Sequence, residues 1–244
     1  MHPILRYRKT RRDSVIMAHL KQGYRFENDW TMETLKELKE SWKSAVTIPV
    51  NIEIEAEHRV LNLEKVKEYL SKAHLITLFD CGCRTYRHNC DAPLNVCIAM
   101  NDKAEDILKR EKSKSLNPRK VMMEEALDAL ARSHEAGLVH MAYASGEDQD
   151  PDQVNVICSC CSCCCAIFSA VLRFGLAPHL LTSETISMTD MPKSNGCGVC
   201  AERCQFGARE IVEGSLVFKP ELCFGCGLCV STCPTNAITL VDRK

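Results

Sequence analysis

The residue pattern best suited to chemistry lies near the carboxy terminus, in Cys223-Phe-Gly-Cys226-Gly-Leu-Cys229-Val-Ser-Thr-Cys233-Pro234. This C-x2-C-x2-C-x3-C-P spacing suits an iron–sulfur cube. Three thiolates two residues apart let one short loop wrap three iron corners, with its amide N–H groups turned towards the sulfides. The fourth, ahead of a helix-breaking proline, reaches a second centre. Gly225 and Gly227 fit because the backbone must pass close to such a group.

The pattern repeats 29 residues earlier, where Cys197, Cys200 and Cys204 stand in the places of Cys226, Cys229 and Cys233. Ser194 falls where Cys223 stands, and Gln205 replaces the expected proline. Zinc on two C-x2-C pairs is the competing reading, but seven duplicated thiols at cube spacing disfavour it. The last fifty or so residues resemble a bacterial-type dicluster ferredoxin. The resemblance implies crossed ligation: Cys204, Cys223, Cys226 and Cys229 for one 4Fe–4S cluster, and Cys197, Cys200 and Cys233 for its neighbour. The neighbour's fourth position falls on Ser194, which leaves a 3Fe–4S cluster, a four-iron cluster with altered ligation, or no cluster.

Ten further cysteines lie upstream in two groups. Cys81, Cys83, Cys90 and Cys97 have spacings of one, six and six residues, unlike the paired knuckles of zinc ribbons. Arg84 and Arg87 are placed to offset thiolate charge. His88 is a candidate ligand of the Rieske kind, against the simpler reading of a satisfied or exposed side chain. The second group, Cys158, Cys160, Cys161, Cys163, Cys164 and Cys165, puts six thiols in eight residues. Adjacent side chains diverge, so the six cannot all face one metal. Ten thiols suffice for two cubes with two left over, or for one larger cluster, and zinc stays open. The motifs CGCR…NCDAPLNVC and ICSCCSCCC, followed by the ferredoxin repeat, resemble a family of dicluster ferredoxin-domain proteins of anaerobes. That resemblance covers residues 48–244 and implies an iron–sulfur redox protein.

A chain of 244 residues with a net charge of −1 has no global field to draw it onto nucleic acid or an anionic membrane. Seventeen cysteines without a secretory leader point to metal thiolates in a reducing cytoplasm rather than a disulfide framework. The longest apolar stretch, residues 166–181, is too short and interrupted to span a bilayer.

The expected fold is α+β. A mixed α/β cysteine-rich amino-terminal domain (residues 1–190, with a basic arm over 1–30) precedes a dicluster ferredoxin domain (191–244), with the boundary falling between 182 and 192. Periodicity predicts helices over 31–44, 63–73, 93–108, 117–136 and 166–174, and strands over 47–57, 74–79, 138–142, 154–157, 209–213 and 238–242. Residues 109–115 read as a charged linker and 145–153 as an acidic turn. Two strands end where thiol groups begin, a rigid way to fix ligands.

The function expected is cytoplasmic single-electron transfer through several clusters, between a redox protein partner and an acceptor. The alternatives are metal or cluster handling, redox sensing, or a reductase subunit with a substrate-binding cluster. No radical or phosphate-cradling motif marks a stand-alone enzyme, and Gly196-Cys-Gly198-Val-Cys-Ala201 sits in the cluster loop without a preceding strand, so it is not read as a nucleotide site.

Overall fold

The computed structural model describes residues 44–47, 67, 69–144, 154–166, 168 and 183–243. The expected basic arm, the acidic turn and the helix over 31–44 lie outside these residues, apart from Ser44. So do most of the strand over 47–57 and of the helix over 166–174.

Six strands form one antiparallel sheet in the order β1-β5-β6-β3-β2-β4. They are β1 (Ser44–Thr47), β2 (Ile76–Asp80), β3 (Asn95–Met100), β4 (Arg119–Lys120), β5 (Val139–Ala144) and β6 (Val156–Cys160). Helix α1 (Gly82–Arg87) follows β2, α2 (Asn101–Lys109) follows β3, and α3 (Met123–Glu135) leads to β5.

Strand alternation sorts the side chains between the two faces. Ile76 and Leu78 of β2, Ile98 and Met100 of β3, Ala142 of β5 and Ile157 of β6 meet Ala126, Ala129 and Leu130 of α3. On the opposite face Phe79, Cys97, Ala99, Met141, Val156 and Cys160 share a second core with Cys81, Cys161, Cys164 and Cys165. Pairing of Ile98 with Ile157 sets Cys97 opposite Cys158 across β3 and β6. The thiols therefore form part of the apolar core of one sheet face.

Several elements differ from expectation. Residues 95–100 form a strand, not the first turns of a helix, and the helix begins at Asn101. The run Val96, Cys97, Ile98 is buried between two strands, where β-branched residues pack well. The clearest periodic helix starts at Met123, because Arg119–Lys120 pairs with β2 at the sheet edge. The charged linker contains a 3-10 helix, Glu111–Leu116.

The carboxy-terminal part runs β7 (Thr185–Thr189), α4 (Val199–Arg203), β8 (Arg209–Val212), β9 (Ser215–Phe218), α5 (Leu228–Ser231) and β10 (Ile238–Asp242). The outer strands β7 and β10 pair antiparallel, as do the inner strands β8 and β9. The 29-residue repeat seen in the cysteines thus extends to the elements, with α4 matching α5 and β8 matching β10. Strand β7 gave no sequence signal, yet it pairs with β10 and so extends this part upstream of residue 191. No helix of the described residues is long and apolar enough to cross a membrane.

Candidate metal centres

The seven carboxy-terminal cysteines separate around two cavities. Cys204, Cys223, Cys226 and Cys229 line one of about 320 Å³, together with Phe206, Phe224, Ser187 and Arg209. Cys197, Cys200 and Cys233 line the other, of about 350 Å³, and Ser194 stands on its wall. Each four-residue set mixes both copies of the repeat, because the α4 and α5 loops face each other and each sends its last cysteine across.

The donor set of the first cavity fits a four-iron cluster. Gly198 and Gly227, at φ 76° and 75°, turn both loops into their helices identically. Gly225 has a further constraint: a Cβ there would lie 2.0 Å from the Thr185 carbonyl oxygen, so the loop is seated against the start of β7. Burial raises the Cys226 thiol above its ordinary range and pushes Cys229 up to about 12. Metal binding would reverse this cost by supplying positive charge at the sulfur. Cys233 lies lower than usual: burial opposes ionisation, but Thr235 Oγ1 at 3.6 Å and the Ala237 N–H at 3.2 Å favour the thiolate.

Arg209 is a functional candidate that sequence reasoning missed. It is 2 % exposed, and its guanidinium donates to Thr189 Oγ1 at 2.6 Å and Ser187 Oγ at 3.0 Å while lying over the Phe218 ring. Its charge favours the thiolates of both Cys200 and Cys229, one from each cavity. The available signal was the repeat itself, since Arg209 occupies the position of the buried apolar Ile238.

The first cavity faces the upstream sheet. Phe206 and Phe224 stack at 3.9 Å between centroids, and Phe168 meets both edge-on. All three share a core with Cys161, Cys164 and Cys165. Arg203 caps the last carbonyls of α3, donating to His134 at 2.8 Å and Glu135 at 2.7 Å. Gln205 Nε2 donates to the Gly137 carbonyl, while its Oε1 accepts from the Ser162 N–H at 2.8 Å and from its hydroxyl at 3.1 Å. The replacement of proline by Gln205 is therefore a contact between the two parts, a larger matter than its sequence position suggested.

The ten upstream cysteines divide into four and six. Cys90, Cys161, Cys163 and Cys164 converge, with all four sulfurs within 4.8 Å of one another. The turn at 162–164 curls enough that the adjacent Cys163 and Cys164 both face this point, against the expectation that neighbours diverge. Cys160 and Cys165, on either side, do turn away, into the second group. In that group Cys81, Cys83, Cys165, Cys160, Cys158 and Cys97 form a closed ring in which each thiol shifts the protonation of the next. Hydrogen bonds from Cys165 and Cys158 hold Cys83 and Cys97 below the ordinary thiol range, whereas Cys81 and Cys160 are held above it by Cys83 and Cys158. Six thiols exceed the four positions that one tetrahedral ion or one cube offers.

Arg84 lies between the two groups, 1 % exposed, donating to the Pro93 carbonyl at 2.6 Å, the Ser159 carbonyl at 3.1 Å and Cys161 Sγ at 3.6 Å. Arg87 reaches the Cys164 carbonyl at 3.3 Å. His88 is exposed and ends α1 in the left-handed conformation, which removes it from the ligand candidates.

Residues 216–239 match the family of 4Fe-4S binding domains. That segment contains Cys223, Cys226, Cys229 and Cys233, so an iron–sulfur electron-transfer role rests on the family as well as on the spacing. No curated protein matches the chain.

Proposed function

We propose that this protein relays single electrons through iron–sulfur clusters between a redox protein partner and an acceptor, in the reducing cytoplasm of an anaerobe. Cys204, Cys223, Cys226 and Cys229 are assigned to one 4Fe–4S cluster, and Cys197, Cys200 and Cys233 to its neighbour, with Ser194 at the fourth position. The observation that carries this reading is the cavity bounded by four cysteines drawn from both copies of the repeat, within and beside the segment that matches a 4Fe-4S binding domain. A cluster held there supplies one-electron chemistry at a potential set by its surroundings.

The chain's own residues contribute three things. Arg209 sets positive charge beside both cysteine sets, Phe206 and Phe224 shelter one side of the inner cavity, and the exposed Cys197 makes the outer cavity the side a partner would reach. The proposed division of the chain puts the ferredoxin unit at 183–244, since β7 completes its outer sheet. The upstream thiols form the cysteine-rich unit.

A second reading, metal handling or redox sensing by the upstream thiols, is favoured by the closed ring of six. Its members already act on one another's protonation and would respond together to a metal or an oxidant. Anaerobic purification with iron and sulfide counting, followed by EPR of the dithionite-reduced protein, tests the first reading. Low-potential four-iron signals are expected. A folded, colourless and iron-free protein would overturn it.

A further inference from the structure

We infer that Cys90, Cys161, Cys163 and Cys164 hold a single tetrahedral metal ion, zinc by the chemistry of the donors, and not an iron–sulfur cube. The argument is one of size. Four thiolates bound about 2.3 Å from a zinc ion stand about 3.8 Å apart along the edges of the tetrahedron. A four-iron cube places its own iron and sulfide between the thiolates and spreads them to roughly 6 Å.

The sulfur separations in the structure fall at the first value. Cys90 Sγ lies 3.8 Å from Cys161 Sγ and 3.7 Å from Cys164 Sγ, and Cys163 Sγ lies 3.8 Å from Cys164 Sγ. The remaining pairs are within 4.8 Å, so no room for a cube exists at this point.

The surroundings suit such an ion. Four thiolates and one divalent ion carry a net double negative charge, and the buried Arg84 guanidinium at 3.6 Å from Cys161 Sγ offsets part of it. Asn89 Nδ2 donates to the Cys163 carbonyl at 2.8 Å and Arg87 to that of Cys164, which fixes the turn presenting three of the four sulfurs. All four positions are protein ligands, the closed coordination of structural zinc rather than the open coordination of catalytic zinc.

A zinc ion does not change oxidation state, so it is no stepping-stone for electrons. It instead ties the loop carrying Cys90 to the turn at 161–164. Gln205 grips that same turn at Ser162. The ion therefore fixes the surface against which the ferredoxin part is seated.

The test uses the full chain, purified without air, with metals counted per chain and X-ray absorption at the zinc and iron edges. One zinc per chain is expected, in a shell of four sulfurs at about 2.3 Å with no neighbouring iron. Cys90→Ser should lose this ion while the iron content and the low-temperature EPR of the reduced ferredoxin clusters are kept. Loss of one iron in place of one zinc would identify a mononuclear iron centre and still sustain the single-ion site. Loss of about four irons with sulfide would overturn it. So would an iron shell around the bound metal in the unmutated chain, which needs no variant to fold. Failure of the electron-relay reading would show separately, as missing ferredoxin signals with the zinc retained.

Discussion

Gln205 Oε1 accepts the Ser162 backbone N–H at 2.8 Å, joining a ferredoxin cysteine loop to the densest thiol loop of the chain. The two residues are 43 apart in sequence, and both are buried. The same side chain donates to the carbonyl of Gly137, just beyond the end of α3. One glutamine thus makes three buried hydrogen bonds across the two parts, and losing buried hydrogen bonds is costly.

Gln205→Ala should lower stability by about 1–3 kcal/mol, the scale of losing a few buried hydrogen bonds. Chemical denaturation of the holoprotein under argon measures it. Gln205→Pro, which restores the proline of the other repeat, should do the same without loss of iron. An unchanged denaturation midpoint in both variants would count against the contact.

Arg209→Gln should lower the reduction potentials of the two proposed clusters by on the order of tens of millivolts, since a buried positive charge favours the more negative, reduced cluster. Protein-film voltammetry on wild type and variant gives the shift directly. A shift confined to one centre would mean that Arg209 does not act between them.

Ser194→Cys supplies the missing fourth thiol on the wall of the outer cavity. The reduced variant should show an ordinary four-iron EPR signal from that centre, and its iron count should rise if the wild-type centre has three irons. Identical spectra and counts would place Ser194 off the ligand position.

His134 is expected to make stability depend on pH. Its Nε2 lies 2.6 Å from Ser231 Oγ, and its ring stacks on that of His140. Burial, with a smaller contribution from the Arg203 charge, lowers its pKa from 6.5 to about 4. The unfolded chain therefore binds a proton that the folded chain refuses. The stabilisation is complete above pH 6.5 and is lost as the pH falls towards 4, by up to about 3 kcal/mol. Denaturation at pH 7.5 and 5.5 should show the loss, and His134→Gln should reduce it, leaving the part due to His140. Equal slopes in the two proteins would rule out His134 as a source.

The ferredoxin half was legible because its chemistry is local. Ligands two and three residues apart need one loop each, and the internal duplication reports its own partner positions. Strand β10 also matched its predicted range, whereas β7 left no mark, since Thr185–Thr189 alternates only weakly and owes its form to pairing with β10. Upstream, cysteine spacing could not reveal which thiols meet. Cys97 was read on a helix, and its strand parity is what sends it to Cys158 while Cys90 goes to Cys161. Arg209 escaped notice, and Gln205 was read only as a lost proline, for a different reason. Each departs from the repeat, and departures carry information only when the two copies are compared residue by residue.

Those departures give the duplicated fold a direction. Phe206 and Phe224 have Thr235 and Asn195 as their counterparts, so the inner cavity is lined at these positions by aromatic rings where the outer one is lined by polar side chains. Water solvates an added negative charge far better than phenyl rings do. If both cysteine sets hold clusters as proposed, an incoming electron would rest at the outer basin and climb to reach the inner one, giving the pair an inlet and an uphill step that two equivalent halves could never have.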